Sequence, residues 1–309
     1  MQTTHKTQAR GRGSYFQKSA GERIFDAVNV LFFTVLTFVM VFPFWNMLVI
    51  SFVDYGDYVK NPFMVWPRNP TIQAYKFIFS SDELLNSMWV TVIVTVCGTA
   101  LNMLVTLGAA YALSKKELPF RNFLLSMFLF TMFFSGGLVP YYVLVRQQLQ
   151  MADTLWVMVL PVLVNIWNLI IIKNFFVNLP ASLEESARID GANDITILLW
   201  IVIPVSMPVI ATFILFYGVE RWNEWYQASL FIRDKALYPL QLLLREIVVR
   251  NVDISSMVEG YQATEGNRFV HNEAIKMASI VVATIPIVAV YPFLQKYFAK
   301  GVMIGAIKA

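Results

Sequence analysis

Six apolar runs, each long enough to cross a bilayer, dominate this sequence: about residues 25–50, 86–113, 122–145, 154–176, 205–231 and 274–294. A helix needs about 20 apolar residues to traverse the hydrocarbon core, and lipid offers no water to an unpaired backbone amide. An all-α membrane protein with six transmembrane helices is therefore expected. Composition agrees: 57% of the 309 residues are hydrophobic and 14% charged, where a soluble domain carries about 25% charge. The first run is too long for a signal-peptide core, and no small-residue cleavage site follows it. Pro43, Pro286 and Pro292 are expected to kink their helices, which membrane helices tolerate.

The basic residues assign the sides. Lys6, Arg10, Arg12, Lys18 and Arg23 precede the first run, with no acid before Glu22. Lys115, Lys116 and Arg121 lie between runs two and three, and Lys296, Lys300 and Lys308 follow run six. Short basic loops stay in the cytoplasm, so both termini are expected there. The chain divides into a basic tail over residues 1–23 and a transmembrane domain over 24–309. Nucleic acid is not an expected partner, because a membrane anchor follows the tail at once. Cys97 stands alone, which rules out an internal disulfide, and in an apolar run it reads as a small packing residue. His5 and His271 are far apart, so no metal site is expected. No Gly-x-x-x-x-Gly-Lys loop occurs, so ATP would have to bind another chain. No nucleophile–base set or pair of acids points to an enzyme.

One long polar interruption, at about residues 178–204 between runs four and five, can still fold as helix. Pro180 ends the apolar run before it. Ser182 and Glu185 have the spacing of a capping box, and Ala181, Leu183, Ala187 and Ile189 alternate with Glu184, Glu185, Arg188 and Asp190. That pattern predicts a short amphipathic helix ended by Gly191, then a second beginning at Asn193 or Asp194 and reaching Pro204. From spacing alone, an ordinary surface helix fits equally well.

Residue identity carries this further. Glu185-Ser186-Ala187, three residues, Gly191, nine residues and Ile201-Val202-Ile203-Pro204 resemble the Glu-Ala-Ala loop of the membrane subunits of binding-protein-dependent ABC importers. Ser186 replaces the second position and Ile203 a leucine. Arg188-Ile189-Asp190-Gly191-Ala192, Trp66-Pro67 with Thr71–Tyr75, and Tyr297–Gly301 with Gly305-Ala306 are similar to carbohydrate importers. The whole-chain pattern is similar to the smaller membrane subunit of the maltose importer and to oligosaccharide importer permeases of Gram-positive bacteria. The resemblance implies a type I ABC importer permease fold in a bacterial cytoplasmic membrane, with a cytoplasmic coupling helix seated in a groove of an ATPase. Glu184 or Glu185 would pair with a basic residue of that ATPase, and Ala187 and Gly191 would permit close approach. Glu184, Glu185, Ser186, Ala187, Asp190, Gly191 and Pro204 are thus the expected coupling residues. No cofactor is expected on this chain, since ATP and magnesium would sit on two ATPase subunits. A second, distinct permease chain (a heterodimer), an extracellular solute-binding protein, lipid and a carbohydrate substrate complete the implied partners. By position alone, residues 232–273 would reach into the binding protein.

Candidates for the solute path are Asn165, Trp167 and Asn168 in run four, and Trp222, Asn223, Glu224 and Trp225 at the end of run five. Tryptophan faces stack on sugar rings, while amides and carboxylates bond hydroxyls. Each group has an alternative: interhelical hydrogen bonding for the first, and an interfacial ion cluster of Glu220, Arg221 and Glu224 for the second. A stand-alone secondary transporter or channel is the alternative function. Such proteins show inverted repeats or mid-span ionisable groups, and neither a clear repeat nor an acid–base pair is visible.

Overall fold

A computed structural model describes residues 19–61, 63–249 and 272–306. Two compact units are present, Met1–Met47 and Leu48–Ala309. The first is the body of helix α1 (Ala20–Ile50). Its start, which takes in the last four residues of the expected basic tail, is set by a capping box: Ser19 N donates to Glu22 Oε2 (2.8 Å) and Glu22 N to Ser19 Oγ (3.3 Å). The Thr34 and Thr37 hydroxyls donate to the carbonyls of Val30 and Phe33, both at 2.7 Å, which hides their polarity inside the helix. Phe25, Phe32, Phe38 and Phe44 are exposed, as in a helix made for an apolar solvent or another chain.

The second unit opens with short helices α2 (Tyr55–Lys60) and α3 (Gln73–Ser80). Helix α4 (Asp82–Ser114) is capped by Ser81, whose hydroxyl accepts from Leu84 N, and its first turn holds Asp82 and Glu83. Then come α5 (Arg121–Phe133), α6 (Leu138–Val143) with a π-helical turn over Leu144–Gln148, and α7 (Ile166–Val177), preceded by tight turns at Leu155–Met158 and Leu160–Val162. Next are α8 (Ala181–Ile189), α9 (Asp194–Ile197) and α10 (Ile203–Val205), the last two joined by a π-helical turn over Leu198–Val202. Helices α11 (Met207–Trp222), α12 (Tyr226–Phe231), α13 (Leu240–Val249) and α14 (Asn272–Ala306) complete the unit. Residues 250–271 of the segment expected to reach into a binding protein fall outside the described residues, as does most of the basic tail.

Among the described residues three helices are long and apolar enough to cross a membrane: α1, α4 and the Glu273–Val290 part of α14. Up to six crossings result if each of three bent pairs forms one span. Arg121–Phe133 meets Leu138–Gln148 at 112°, Leu155–Val162 meets Ile166–Val177 at 51°, and Asp194–Val205 meets Met207–Phe231 at 90°. Run four, expected as one helix, is thus broken, while run three breaks at Ser135-Gly136-Gly137, where the sequence already shows an interruption. At the first break Gly137 takes φ +84°, a conformation glycine adopts freely. At α5, 13 residues give a rod of only about 20 Å, short of the hydrocarbon thickness.

The core is layered along α4. One cluster joins Tyr111 and Leu107 of α4, Ile172 and Phe176 of α7, Ala187 of α8, Ile197 and Val202 of the next helix, and Phe213 and Tyr217 of α11. A second joins Val94, Met158, Phe231 and Leu242, and a third packs α3, α13 and α14 through Phe77, Leu243 and Ala278. Between the second cluster and solvent, Asp153 Oδ1 accepts from the amides of Arg233 (2.5 Å) and Asp234 (3.2 Å). Those two donors hold its carboxyl below the usual carboxylate range.

The small residues of α4 differ in exposure. Ala110 is fully buried, whereas Ala100, Ala112 and Cys97 are exposed, so Cys97 is not the packing residue expected. At Gly98 a Cβ would lie 3.0 Å from Arg221 Cδ and 3.3 Å from Val159 Cγ2, while at Gly108 it meets nothing within 4 Å. Gly98→Ala should cost about 1–3 kcal/mol through crowding, and Gly108→Ala should gain up to about 1 kcal/mol in helix propensity. Thermal melting of the two variants in detergent, moving in opposite directions, checks the pair.

Candidate functional site

The polar hairpin between α7 and α11 is assembled from local rules. Pro180, not Ser182, occupies the position before α8; Ser182 lies inside the helix, where its carbonyl accepts the Ser186 hydroxyl at 2.9 Å. The expected capping box is therefore absent: the proline, with no amide to satisfy, starts the helix itself. At the far end Gly191 adopts φ +83°. Gly191 N donates to Arg188 O (3.1 Å) and Ala192 N to Ala187 O (2.9 Å). These two bonds are the Schellman pattern, and the apolar contact that accompanies it is Ala187 against Ala192. The alanine and glycine four residues apart in the loop thus have a physical reason: one is the last inward-facing helical residue, the other the left-handed stop.

Asn193 then caps the next helix, its Oδ1 accepting from Thr196 N (2.8 Å) and Oγ1 (2.9 Å), and Arg188 pairs with Asp194 at 2.9 Å across the corner. The helix expected to reach Pro204 extends to Val205. Its π-helical turn over Leu198–Val202 precedes Pro204, whose ring and missing amide disrupt the regular ladder. At Ser206 the chain turns by 90° into α11.

Ala187 is buried against the chain's own core. Gly191 is exposed, with open space around it. Glu184 is likewise committed at home: its carboxylate pairs with Lys115 at the end of α4, both side chains about four-fifths shielded. Glu185, Ser186 and Asp190 are exposed. Glu185 makes no ion pair among the described residues. Ile189 is 86% exposed and Trp200 77% exposed, so the hairpin carries an apolar outer surface beside its acids.

The path candidates separate. Trp222, Asn223, Glu224 and Trp225 line one open groove of about 1240 Å³ between α4, α11 and α14, together with Thr95, Thr99, Glu220 and Tyr226. Trp222 Nε1 donates to Ala283 O (3.3 Å), and Asn223 Nδ2 to Val219 O (2.9 Å). Glu224 is buried and accepts from Gln227 N (2.8 Å). The Trp225 ring lies 4.3 Å from the Arg245 guanidinium. Beneath them Arg221, 1% exposed, bonds Met158 O (2.5 Å) and Glu220 (2.9 Å) and lies 3.8 Å from Glu224.

Asn165, Trp167 and Asn168 do not line this groove. Asn165 sits at the break before α7, and Trp167 and Asn168 lie in its first turn. Asn165 caps that helix, accepting from Asn168 N (3.3 Å), and its own amide donates to Tyr217 Oη (3.2 Å). Tyr217 bonds Thr106 (2.9 Å), and Asn102 Nδ2 donates to Leu163 O (2.6 Å) and Val162 O (3.3 Å). The Asn165 side chain makes a local cap within its own helix, while Tyr217 and Asn102 supply the bonds between elements, serving backbone groups that the break leaves unpaired in an apolar interior. Trp167 is exposed. Sequence reasoning missed Lys115, Asn102, Tyr217, Thr95 and Thr99. The last two were detectable as hydroxyls four residues apart on one helical face.

Comparison with known proteins extends the picture. The family model for the binding-protein-dependent transport system inner membrane component matches residues 118–304. LplC of Bacillus subtilis is 43% identical over 93% of this chain and 95% of its own length. The polygalacturonan/rhamnogalacturonan transport system permease protein YtcP, also of Bacillus subtilis, is 44% identical over 93% and 99%. In the crystal structure of a bacterial ABC transporter involved in import of the acidic polysaccharide alginate, one chain superposes with TM-score 0.82 at 29% identity, covering 91% of this chain and 99% of that one. The mostly helical fold is thus the type I permease fold, and this multi-pass chain belongs to the inner membrane components of binding-protein-dependent transport systems.

Proposed function

We propose that this chain is one permease subunit of an ATP-driven ABC importer that carries carbohydrate, as oligosaccharide, across a bacterial cytoplasmic membrane by alternating access. One relative matched nearly end to end is named as a polygalacturonan/rhamnogalacturonan transport system permease, and one solved relative belongs to a transporter involved in alginate import. The observation that carries the reading is the hairpin of α8 and Asp194–Val205, which is seated on the core through Ala187, Ile197 and Val202 yet presents Glu185, Ile189 and Trp200 outward. Such a surface needs a polar partner as well as an apolar one. The partner is a cytoplasmic ATPase, present as two subunits that hold ATP and magnesium, and Glu185 is the carboxylate left to pair with it. A second, distinct permease chain completes the path, and a solute-binding protein delivers the sugar from outside. Both termini lie in the cytoplasm.

In the groove, Trp225 and Tyr226 offer ring faces, and Glu220, Asn223 and Glu224 offer hydroxyl acceptors. The Thr95 and Thr99 hydroxyls have no partner among the described residues. Co-purification is the first test: the ATPase and a second permease chain should accompany this one, whereas a chain purified alone and active in vesicles would mean a stand-alone carrier. Glu185→Ala should lower uptake about 10- to 100-fold at unchanged membrane abundance, the cost of one buried charged contact at an interface. Full uptake by that variant would refute the assignment of Glu185.

A further inference from the structure

The end of α4 is tied to α8 by one shielded ion pair. Lys115 is the residue on which α4 ends, where a cation meets the negative end of the helix dipole. Glu184 lies in the first turn of α8, where an anion meets the positive end. Their side chains pair with only 19% and 20% exposure, and the Lys115 ammonium also lies 4.1 Å from the centre of the Tyr111 ring. Tyr111 in turn packs edge-on against Phe176 of α7 at 6.4 Å. The neighbours Lys116 and Glu117 are exposed, so of these three charges Lys115 alone turns inward. Sixteen residues back along the same helix, about 24 Å away at helical rise, Thr99 lines the groove.

We propose that the Lys115–Glu184 pair is the link through which displacement of α8 is passed to α4 and so to the groove wall. Lys115 is then a positioning residue for transport: it touches neither nucleotide nor solute. The inference rests on α8 being the coupling helix. A shielded pair suits the task because breaking it leaves one desolvated charge without a partner, so the two helices move together rather than slip. The aromatic contact fixes the lysine side chain, which removes the slack that a flexible four-carbon stem would otherwise bring.

The test uses the complete complex in lipid nanodiscs, with an environment-sensitive fluorophore on Val96→Cys at the groove wall in a Cys97→Ser background. ATP with vanadate should shift the emission of the parent complex. Lys115→Gln and Glu184→Gln should each cut that shift about fivefold while ATP hydrolysis persists. Lys115→Arg should keep it, and the double Gln variant should be no worse than either single one, as for two partners in one contact. A merely structural pair would lower the melting temperature and leave the shift intact. Native shifts in both Gln variants, with the shift lost in Glu185→Ala, overturn the link and spare the coupling helix. A native shift in Glu185→Ala as well removes the coupling-helix reading and the link with it.

Discussion

Arg221→Met will accumulate poorly, and what folds will melt about 10 °C lower than the parent protein. Arg221 is 1% exposed, and its guanidinium holds Met158 O, Glu220 and Glu224. Methionine fills much of the volume and keeps the apolar stem under Gly98, so packing alone would change little. What it removes is the one counter-charge that Glu224 meets among the described residues, a carboxylate that is itself 8% exposed, and the donor that serves a buried carbonyl. Breaking such a pair from one side costs about 3–5 kcal/mol, a large share of the roughly 5–15 kcal/mol by which folded proteins are stable. At about 2–4 °C per kcal/mol for a chain of this size, the melting shift follows. Adding Glu224→Gln should recover part of the loss, because the stranded charge is then gone. A single variant that melts with the parent protein would show that Arg221 does not hold the C-terminal end of α11.

Gly191→Val will reach the membrane in normal amounts and import almost nothing, about a hundredfold below the parent protein. The position holds φ +83°, where a β-branched residue costs about 1–3 kcal/mol, so the Schellman turn opens and α8 leaves its angle to the helix at Asp194. A misplacement of about 1 Å at a working contact can cost a hundredfold in rate. No atom lies within 4 Å of a Cβ built there, so crowding within the chain is not the cause. Gly191→Asn separates the two explanations: asparagine tolerates the left-handed region and should retain most import. Equal loss in both variants would mean that the space around Gly191, not its conformation, is what matters.

Much of this was legible in the sequence, for identifiable reasons. Apolar runs declare themselves through length alone, and Gly191 and Asn193 announce a stop and a start in side-chain chemistry that acts within four residues. Gly137 was visible as a break, but whether it ended a helix or folded it back by 112° depends on packing against distant elements. Glu184 and Glu185 are indistinguishable in sequence. Only the rotation of α8, set by Ala187 turning inward, sends one to Lys115 and leaves the other outside. Asn165 looked like a polar residue at mid-span because the break before α7 is marked by no glycine. Its role as a cap becomes visible only with Asn102 and Tyr217 beside it.

A cysteine at Ile189, 86% exposed on α8, in a Cys97→Ser background reports directly on where the hairpin lies and what it touches. In intact cells it should resist a membrane-impermeant maleimide, in inside-out vesicles it should react, and in the assembled complex a short bifunctional reagent should join it to the ATPase chain. Labelling from outside the cell, or cross-links to every subunit except the ATPase, would contradict the coupling role of this hairpin.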